Sequence, residues 1–255
     1  MILAADAGNT TISFGLFEGS SLTGRFKIKT DRNYTAAEIE GLITDSFIRT
    51  RPEKAVFSSV VPEVDAALYS ALEAVTGGVP LVMSPDLPTG ILFNRYDRGS
   101  IGADRIADLA AARDIYGAPV IVFDLGTCTT ATVLSKEGEL CGGMIMPGVQ
   151  VSLDAMHERS SKLPAVKAKI PEHIIGESTE GCMESGAVIG TAAVIDGFAQ
   201  RVRKELGYPV PCVVTGGLSS IVIPWCLEKV NYEPDLMLMG LNSVCLRTPA
   251  GIWGS

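Results

Sequence analysis

Short apolar, often β-branched runs recur along the chain and are separated by longer stretches with helical spacing. Met1–Ala5, Ile12–Phe17, Ala55–Ser58, Leu81–Met83, Val120–Phe123, Ala131–Leu134 and Val210–Val214 read as strands. Ala36–Ile48 places Ile39, Leu42, Ile43 and Phe47 on one face and predicts a helix. Arg105–Tyr116 groups Ile106, Leu109, Ala110 and Arg113, then stops at Gly117 with Pro119 beyond, as a helix with a glycine end and a proline stop should. Met183–Glu205 is long and rich in Ala and Gly, which predicts a helix packed closely against a neighbour. Strands alternating with helices indicate an α/β fold.

One pattern occurs twice. Residues 1–19 read MILAADAGNTTISFGLFEG and residues 119–138 read PVIVFDLGTCTTATVLSKEG. Each is an apolar strand, an Asp-x-Gly turn with hydroxyl side chains, an alternating strand and an acidic-Gly turn. Asp6 matches Asp124, Gly8 matches Gly126 and Asn9 matches Thr127, at an offset of 118 residues. The repeat predicts two similar halves, residues 1–116 and 117–255, facing a cleft lined by a turn from each.

Composition narrows the class. The 255 residues are 47% apolar, enough for a large core. Asp and Glu (29) outnumber Lys and Arg (21), for a net charge of −8, which argues against non-specific binding to nucleic acid or anionic membrane. Six cysteines form no CxxC pair and read as reduced thiols. Two histidines, His157 and His173, leave little material for a His-rich zinc site or a Ser-His-Asp triad. Neither a signal peptide nor a run of roughly 20 apolar residues is visible, so a soluble, cytoplasmic protein is expected.

The turns carry the candidate chemistry. In Asp6-Ala7-Gly8-Asn9-Thr10-Thr11, Gly8 permits a positive φ and close backbone approach, and successive amides make a concavity for phosphate oxygens. Asn9, Thr10 and Thr11 add neutral donors. Asp6 is placed to hold Mg²⁺, directly or through water. The same residues also suit a plain hairpin turn whose Asp and Asn bond their own backbone. The second copy, Asp124-Leu125-Gly126-Thr127, favours a chain of phosphates with cations. Neither turn is a GxxxxGK[ST] loop. In Gly102-Ala103-Asp104-Arg105, Asp104 stands where a helix N-cap belongs, or is a carboxylate that accepts a hydroxyl proton in phosphoryl transfer. Arg105 would then neutralise an anionic substrate group, and Tyr96 offers a hydroxyl for an acceptor pocket. The cluster Gly142–Gly148 is expected to join a strand to a helix, with Gly148 needed for close approach. Thr215-Gly216-Gly217 could let a flat base or ribose lie on the backbone.

Taken in order, DAGNT at 6–10, RY at 95–96, GADR at 102–105, DLGTCTT at 124–130, GGMIMPG at 142–148, KLP at 162–164, IGEST at 175–179 and TGG at 215–217 resemble the type III pantothenate kinases of the sugar kinase–Hsp70–actin superfamily. The resemblance implies two ribonuclease H-like (actin-like ATPase) halves with mixed sheets flanked by helices around a central cleft. It implies ATP-dependent phosphorylation of pantothenate to 4′-phosphopantothenate, the first step of coenzyme A synthesis. ATP phosphates would be bound by the segment Asp6, Ala7, Gly8, Asn9, Thr10, Thr11, Ile12 and Ser13, with Thr127 a further ATP contact. Asp104 would be the base. Gly102, Ala103, Asp104 and Arg105 would bind pantothenate together with Tyr96 and with Thr179, the last reaching in from the other subunit of a homodimer. Asp124 would bind a monovalent cation, K⁺ or NH₄⁺, beside the Mg²⁺ expected at Asp6.

Three positions depart from the family pattern: Thr11 after GNT, Cys128 inside the second turn, and Glu177-Ser178 within IGEST. Rival readings are another phosphotransferase of the same superfamily, acting on a sugar or an acid, and a nucleotide-binding regulator without turnover. Retention of Asp6, Asp104 and Asp124 argues against the regulator.

Overall fold

The computed structural model describes residues 1–47 and 51–249. The chain forms two compact units, each with one five-stranded sheet.

The first unit comprises Met1–Phe93, Asp97–Ile115 and the chain from Asp235 onward. Strands β1 (Ile2–Ala7), β2 (Thr11–Glu18) and β3 (Ser21–Lys29) form an antiparallel meander, and β4 (Lys54–Ser59) and β5 (Leu81–Val82) continue it in parallel, in the order β3-β2-β1-β4-β5. On one face α1 (Ala36–Ser46) and α2 (Pro62–Thr76) cover Leu3, Ala5, Phe14, Ala55 and Phe57 with Ile39, Ile43, Val64 and Leu68. Thr35 and Glu38 cap α1 reciprocally, and α2 starts on Pro62 and ends at Gly77 with φ 73°. Of the predicted helix at 36–48, Ile48 lies outside the described residues.

The second unit comprises Asn94–Tyr96 and Tyr116–Pro234. Its sheet has the order β10-β9-β6-β7-β8, built from β6 (Val120–Leu125), β7 (Cys128–Leu134), β8 (Leu140–Pro147), β9 (Cys212–Thr215) and β10 (Val230–Tyr232). β6, β7 and β8 are antiparallel, and β6, β9 and β10 are parallel. The third, second, first, fourth and fifth strands therefore lie side by side in both sheets, as a duplicated unit requires. Helices α4 (Val149–Arg159) and α5 (Thr179–Leu206), with the short α6 (Ser219–Val222), bury Ile121, Phe123, Leu153, Val188 and Ile195. α5 is long and apolar enough to cross a membrane by length and composition alone; half of that stretch is buried in this core.

The expected boundary at 116/117 needs one correction. The last helix, α7 (Leu236–Arg247), packs on β1, β2 and β4 of the first unit, not with the second. Leu238 of α7 meets Gly15 of β2, and Gly240 lies so close to the Ala107 carbonyl of α3 (Ala103–Tyr116) that a Cβ there would collide. α3 itself begins two residues earlier than the periodicity predicts.

Candidate functional site

The first turn follows from strand pairing. Asp6 faces Ser13 on β2 and Ser58 on β4 in register. Ala5, Ala7, Ile12 and Phe57 enter the core under α1 and α2, so the alternating residues Asp6, Ser13 and Ser58 share the opposite face. Asp6 and Ser13 are partly exposed, whereas Ser58 is 1% exposed and its Oγ has no hydrogen-bond partner. An unpaired buried hydroxyl costs about 1–3 kcal/mol. The next residue contrasts with it, because Ser59 Oγ is satisfied by the backbone of Val61.

Two details differ from expectation. Gly8 does not have a positive φ, and its N–H donates to the Thr11 carbonyl (3.0 Å) instead of facing outward. Glycine is nonetheless suited here, since a Cβ would lie 3.3 Å from that same carbonyl. Asn9, Thr10 and Thr11 form the exposed tip. Thr30, which sequence reasoning missed, fixes the tip from behind: its Oγ1 donates to the Gly8 carbonyl (2.6 Å) and its N–H to the Thr10 carbonyl (3.0 Å).

Asp104 is not an N-cap. The first helical bond of α3 runs from Ile106 N–H to the Gly102 carbonyl (3.3 Å), which makes Asp104 the second helical residue, two past the cap. Its carboxylate folds back over Gly102 and accepts from Arg105 N–H (2.8 Å). Any side chain at Gly102 would strike it. A negative group in a helical first turn is favoured by the helix dipole. Arg105 is only 9% exposed. Ala103 also borders a cavity of about 330 Å³ lined by Phe57, Ser59, Asp65, Tyr69, Val82 and Met83. This lies within the size range of small-molecule sites.

The second turn repeats the first with one residue fewer between its strands. Asp124 faces Thr130 on β7 and Thr215 on β9, and Gly126 N–H donates to the Cys128 carbonyl (3.1 Å). Thr127 and Cys128 are exposed. Both glycine clusters of the second half support this turn. Gly148 N–H donates to the Thr127 carbonyl (3.0 Å), and a Cβ at Gly148 would collide with the Gly126 and Thr127 carbonyls. This bears out the need for close approach, although Gly142–Pro147 is itself part of β8 and not a connecting turn. Gly216, at φ +98°, lies against the Asp124 carboxylate and the Leu125 backbone, leaving no room for a Cβ; Gly217 has nothing within 4 Å. Thr215-Gly216 thus serves Asp124 through its packing, a role that strand-and-turn reasoning did not separate from ligand binding.

Tyr96 and Thr179 belong to the second unit. The Tyr96 ring edge packs on Gly142, whose φ is +114° and where a Cβ would sit 3.5 Å from the ring. Arg95 meets Glu139 at 3.6 Å and fixes the same strap. Thr179 is the exposed first residue of α5, whose N-cap Ser178 accepts from Gly181 N–H (3.0 Å).

Comparison with known proteins decides what these residues belong to. Residues 2–201 match the model of the type III pantothenate kinase family. Type III pantothenate kinases of Moorella thermoacetica and Myxococcus xanthus are each 36% identical to the chain. They cover 96% and 98% of it, and 98% and 100% of their own lengths are matched. The chain belongs to the type III pantothenate kinase family. All of the turn, helix and strap residues described above from Asp6 to Thr179 fall within the part that the family model matches. Two solved structures share the fold. A structure described as a Baf family transcriptional activator from Campylobacter jejuni has a TM-score of 0.61 at 17% identity, covering 96% of this chain and 97% of its own. A ROK hexokinase from Thermus thermophilus has a TM-score of 0.52 at 13% identity, covering 95% and 97%. At these identities the likeness speaks for the fold, the ribonuclease H-like class expected, and not for the activity of either protein.

Proposed function

We propose how this chain's residues divide the work of the family reaction. As a type III pantothenate kinase, the chain transfers a phosphoryl group from ATP to pantothenate, giving 4′-phosphopantothenate and ADP at the first step of coenzyme A synthesis. The segment Asp6–Ser13 and Thr127 hold the ATP phosphates. The exposed tips Asn9-Thr10-Thr11 and Thr127 offer neutral donors, which suit an anionic ligand on a chain of net charge −8. Among the described residues no group of three His, Cys, Asp or Glu side chains could hold a metal unaided. A carboxylate with a hydroxyl residue beside it on each neighbouring strand instead fits Mg²⁺, which binds through one or two carboxylates, retained waters and substrate phosphates. Asp6 fills that role, and Asp124 holds a monovalent cation, K⁺ or NH₄⁺. These cations, when bound, neutralise charge on the triphosphate.

Asp104 accepts the proton of the pantothenate 4′-hydroxyl. The hydroxyl oxygen bonds to the γ-phosphorus as the bond to the bridging oxygen of ADP breaks, that oxygen keeps the electron pair, and the proton passes to Asp104 late in the step. The transition state is loose, so a carboxylate suffices as base and most of the catalysis is positioning. Gly102, Ala103 and Arg105 line the acceptor, Arg105 facing its carboxylate. Tyr96 of the same subunit and the partner subunit's Thr179 complete the acceptor site, so the working enzyme is a homodimer. It is expected in the cytoplasm, with no nucleic-acid or membrane partner.

The observation that carries this reading is the retention of Asp6, Asp104 and Asp124 inside a family match that spans residues 2–201. Asp104→Asn should lower kcat at least about 10²-fold, a general-base magnitude, while ATP binding measured by calorimetry is unchanged. Near-full activity of that variant would sink the base assignment. Replacing K⁺ by Na⁺ at fixed ionic strength should lower turnover, and indifference to the cation would remove it from Asp124.

A further inference from the structure

Ser58 carries one of the buried polar atoms of the first unit that have no hydrogen-bond partner. It is 1% exposed, makes no hydrogen bond and stands in register beside Asp6 on the parallel strand β4. Buried hydroxyls are almost always paired, and the adjacent Ser59 is paired. The repeat supplies an independent observation. In the second unit the corresponding parallel neighbour of Asp124 is Thr215, 4% exposed, and the antiparallel neighbours are Ser13 and Thr130 in the two sheets. Both sheets therefore carry a row of hydroxyl, carboxylate and hydroxyl across three strands. Core packing does not call for such a row, since the preceding positions on the same face are Ala4 on β1 and Val56 on β4, both buried and apolar.

We propose that Ser58 is a positioning residue for the divalent cation, its hydroxyl donating to a water that Asp6 shares with Mg²⁺. Deepening the assignment of Mg²⁺ to Asp6, this inference rests on that reading. A hydroxyl on the neighbouring strand fixes the direction from which a retained water meets the carboxylate. Mg²⁺ demands near-octahedral geometry and keeps several waters, so it gains from such a fixed donor. No protein atom partners the hydroxyl, so its removal costs the fold no hydrogen bond.

The test uses the full chain as wild type, Ser58→Ala, Ser58→Thr and Asp6→Asn. Mn²⁺ is titrated in the presence of a non-hydrolysable ATP analogue, and free Mn²⁺ is read by electron paramagnetic resonance. Ser58→Ala should weaken Mn²⁺ binding about three- to tenfold, the loss of one hydrogen bond near a charge, with a Tm in the absence of ligands no lower than that of the wild type. Ser58→Thr, which keeps the hydroxyl, should restore Mn²⁺ affinity to within about twofold. Mn²⁺ affinity unchanged in Ser58→Ala but lost in Asp6→Asn overturns the role of Ser58 and leaves Asp6 in place. Unchanged affinity in both overturns the Mg²⁺ assignment as well. A lower Tm for Ser58→Ala also overturns the proposal, because the hydroxyl would then be part of the fold.

Discussion

Two adjacent glycines that look equivalent in sequence should respond in opposite ways to the same substitution. At Gly216 the backbone has φ +98°, where a residue with a Cβ is strained by about 1–3 kcal/mol. The added Cβ would also lie 2.5 Å from Leu125 N and 2.6 Å from Leu125 C, and would overlap the Asp124 carboxylate. Backbone atoms cannot rotate away as a flexible side chain can, so relieving the overlap costs about 1–3 kcal/mol more. Together the two effects put Gly216→Ala about 2–6 kcal/mol below the wild type. For a chain of this size that is a fall in Tm of at least about 4 °C. At Gly217 a Cβ meets nothing within 4 Å and φ lies outside the left-handed region, so Gly217→Ala should be neutral or stabilising by up to about 1 kcal/mol. Thermal unfolding followed by circular dichroism compares the two directly. Because Gly216 packs on Asp124, its alanine variant should also need more K⁺ for half-maximal activity, a change Gly217→Ala should lack. Equal Tm values for the two variants, or a Gly216→Ala within about 1 °C of the wild type, would refute the packing argument.

Other consequences concern titration and thiol access. Burial, and then the hydrogen bond that Tyr116 donates to Glu233 (2.5 Å), push the Tyr116 phenol up to about 12. The folded state therefore holds this proton more tightly than the unfolded chain. That stabilisation is complete below about pH 10 and disappears as pH rises towards 12. Absorbance at 295 nm should show one late-ionising tyrosine that Tyr116→Phe removes; a titration unchanged by the substitution would place that phenol elsewhere. Cys128 and Cys182 are exposed, whereas burial pushes Cys212 up to about 11 and Cys245 up to about 12. Iodoacetamide at pH 8 should modify the first two in the native protein and the last two only after unfolding, as read by mass spectrometry. ATP with Mg²⁺ should slow labelling of Cys128, which follows Thr127, the proposed phosphate contact, and leave Cys182 unaffected. Equal protection of both thiols would contradict that placement.

Much of the scaffold was legible because its signals are local. The Asp-x-Gly turns, their flanking strands and the glycine end of α3 are short-range patterns, and the duplicated strand order follows from them. What escaped was decided by distant contacts. β3 alternates polar and apolar residues, but Gly24 breaks the pattern at a core-facing position because the Phe47 ring fills that space, 3.0 Å from where a Cβ would be. α7 is apolar on nearly every side, and only its packing against Gly15 and Ala107 shows that it closes the first unit instead of the second. At the site, residue types pointed to Asp6, Asp104 and Asp124. The supports Thr30, Ser58 and Gly216 act through register and loop return, which no spacing along one segment encodes. Asp104 looked like a cap because Asp often is one, yet the helix begins on the Gly102 carbonyl and moves the carboxylate two steps inward.

The central claim is that the acceptor is pantothenate. The purified chain is assayed for ADP release by a coupled enzyme system with ATP, Mg²⁺ and K⁺, and with pantothenate, glucose or acetate as the acceptor. ADP release with pantothenate alone, matched mole for mole by 4′-phosphopantothenate, is the predicted result. No turnover with pantothenate, or faster turnover with the sugar or the acid, would contradict it.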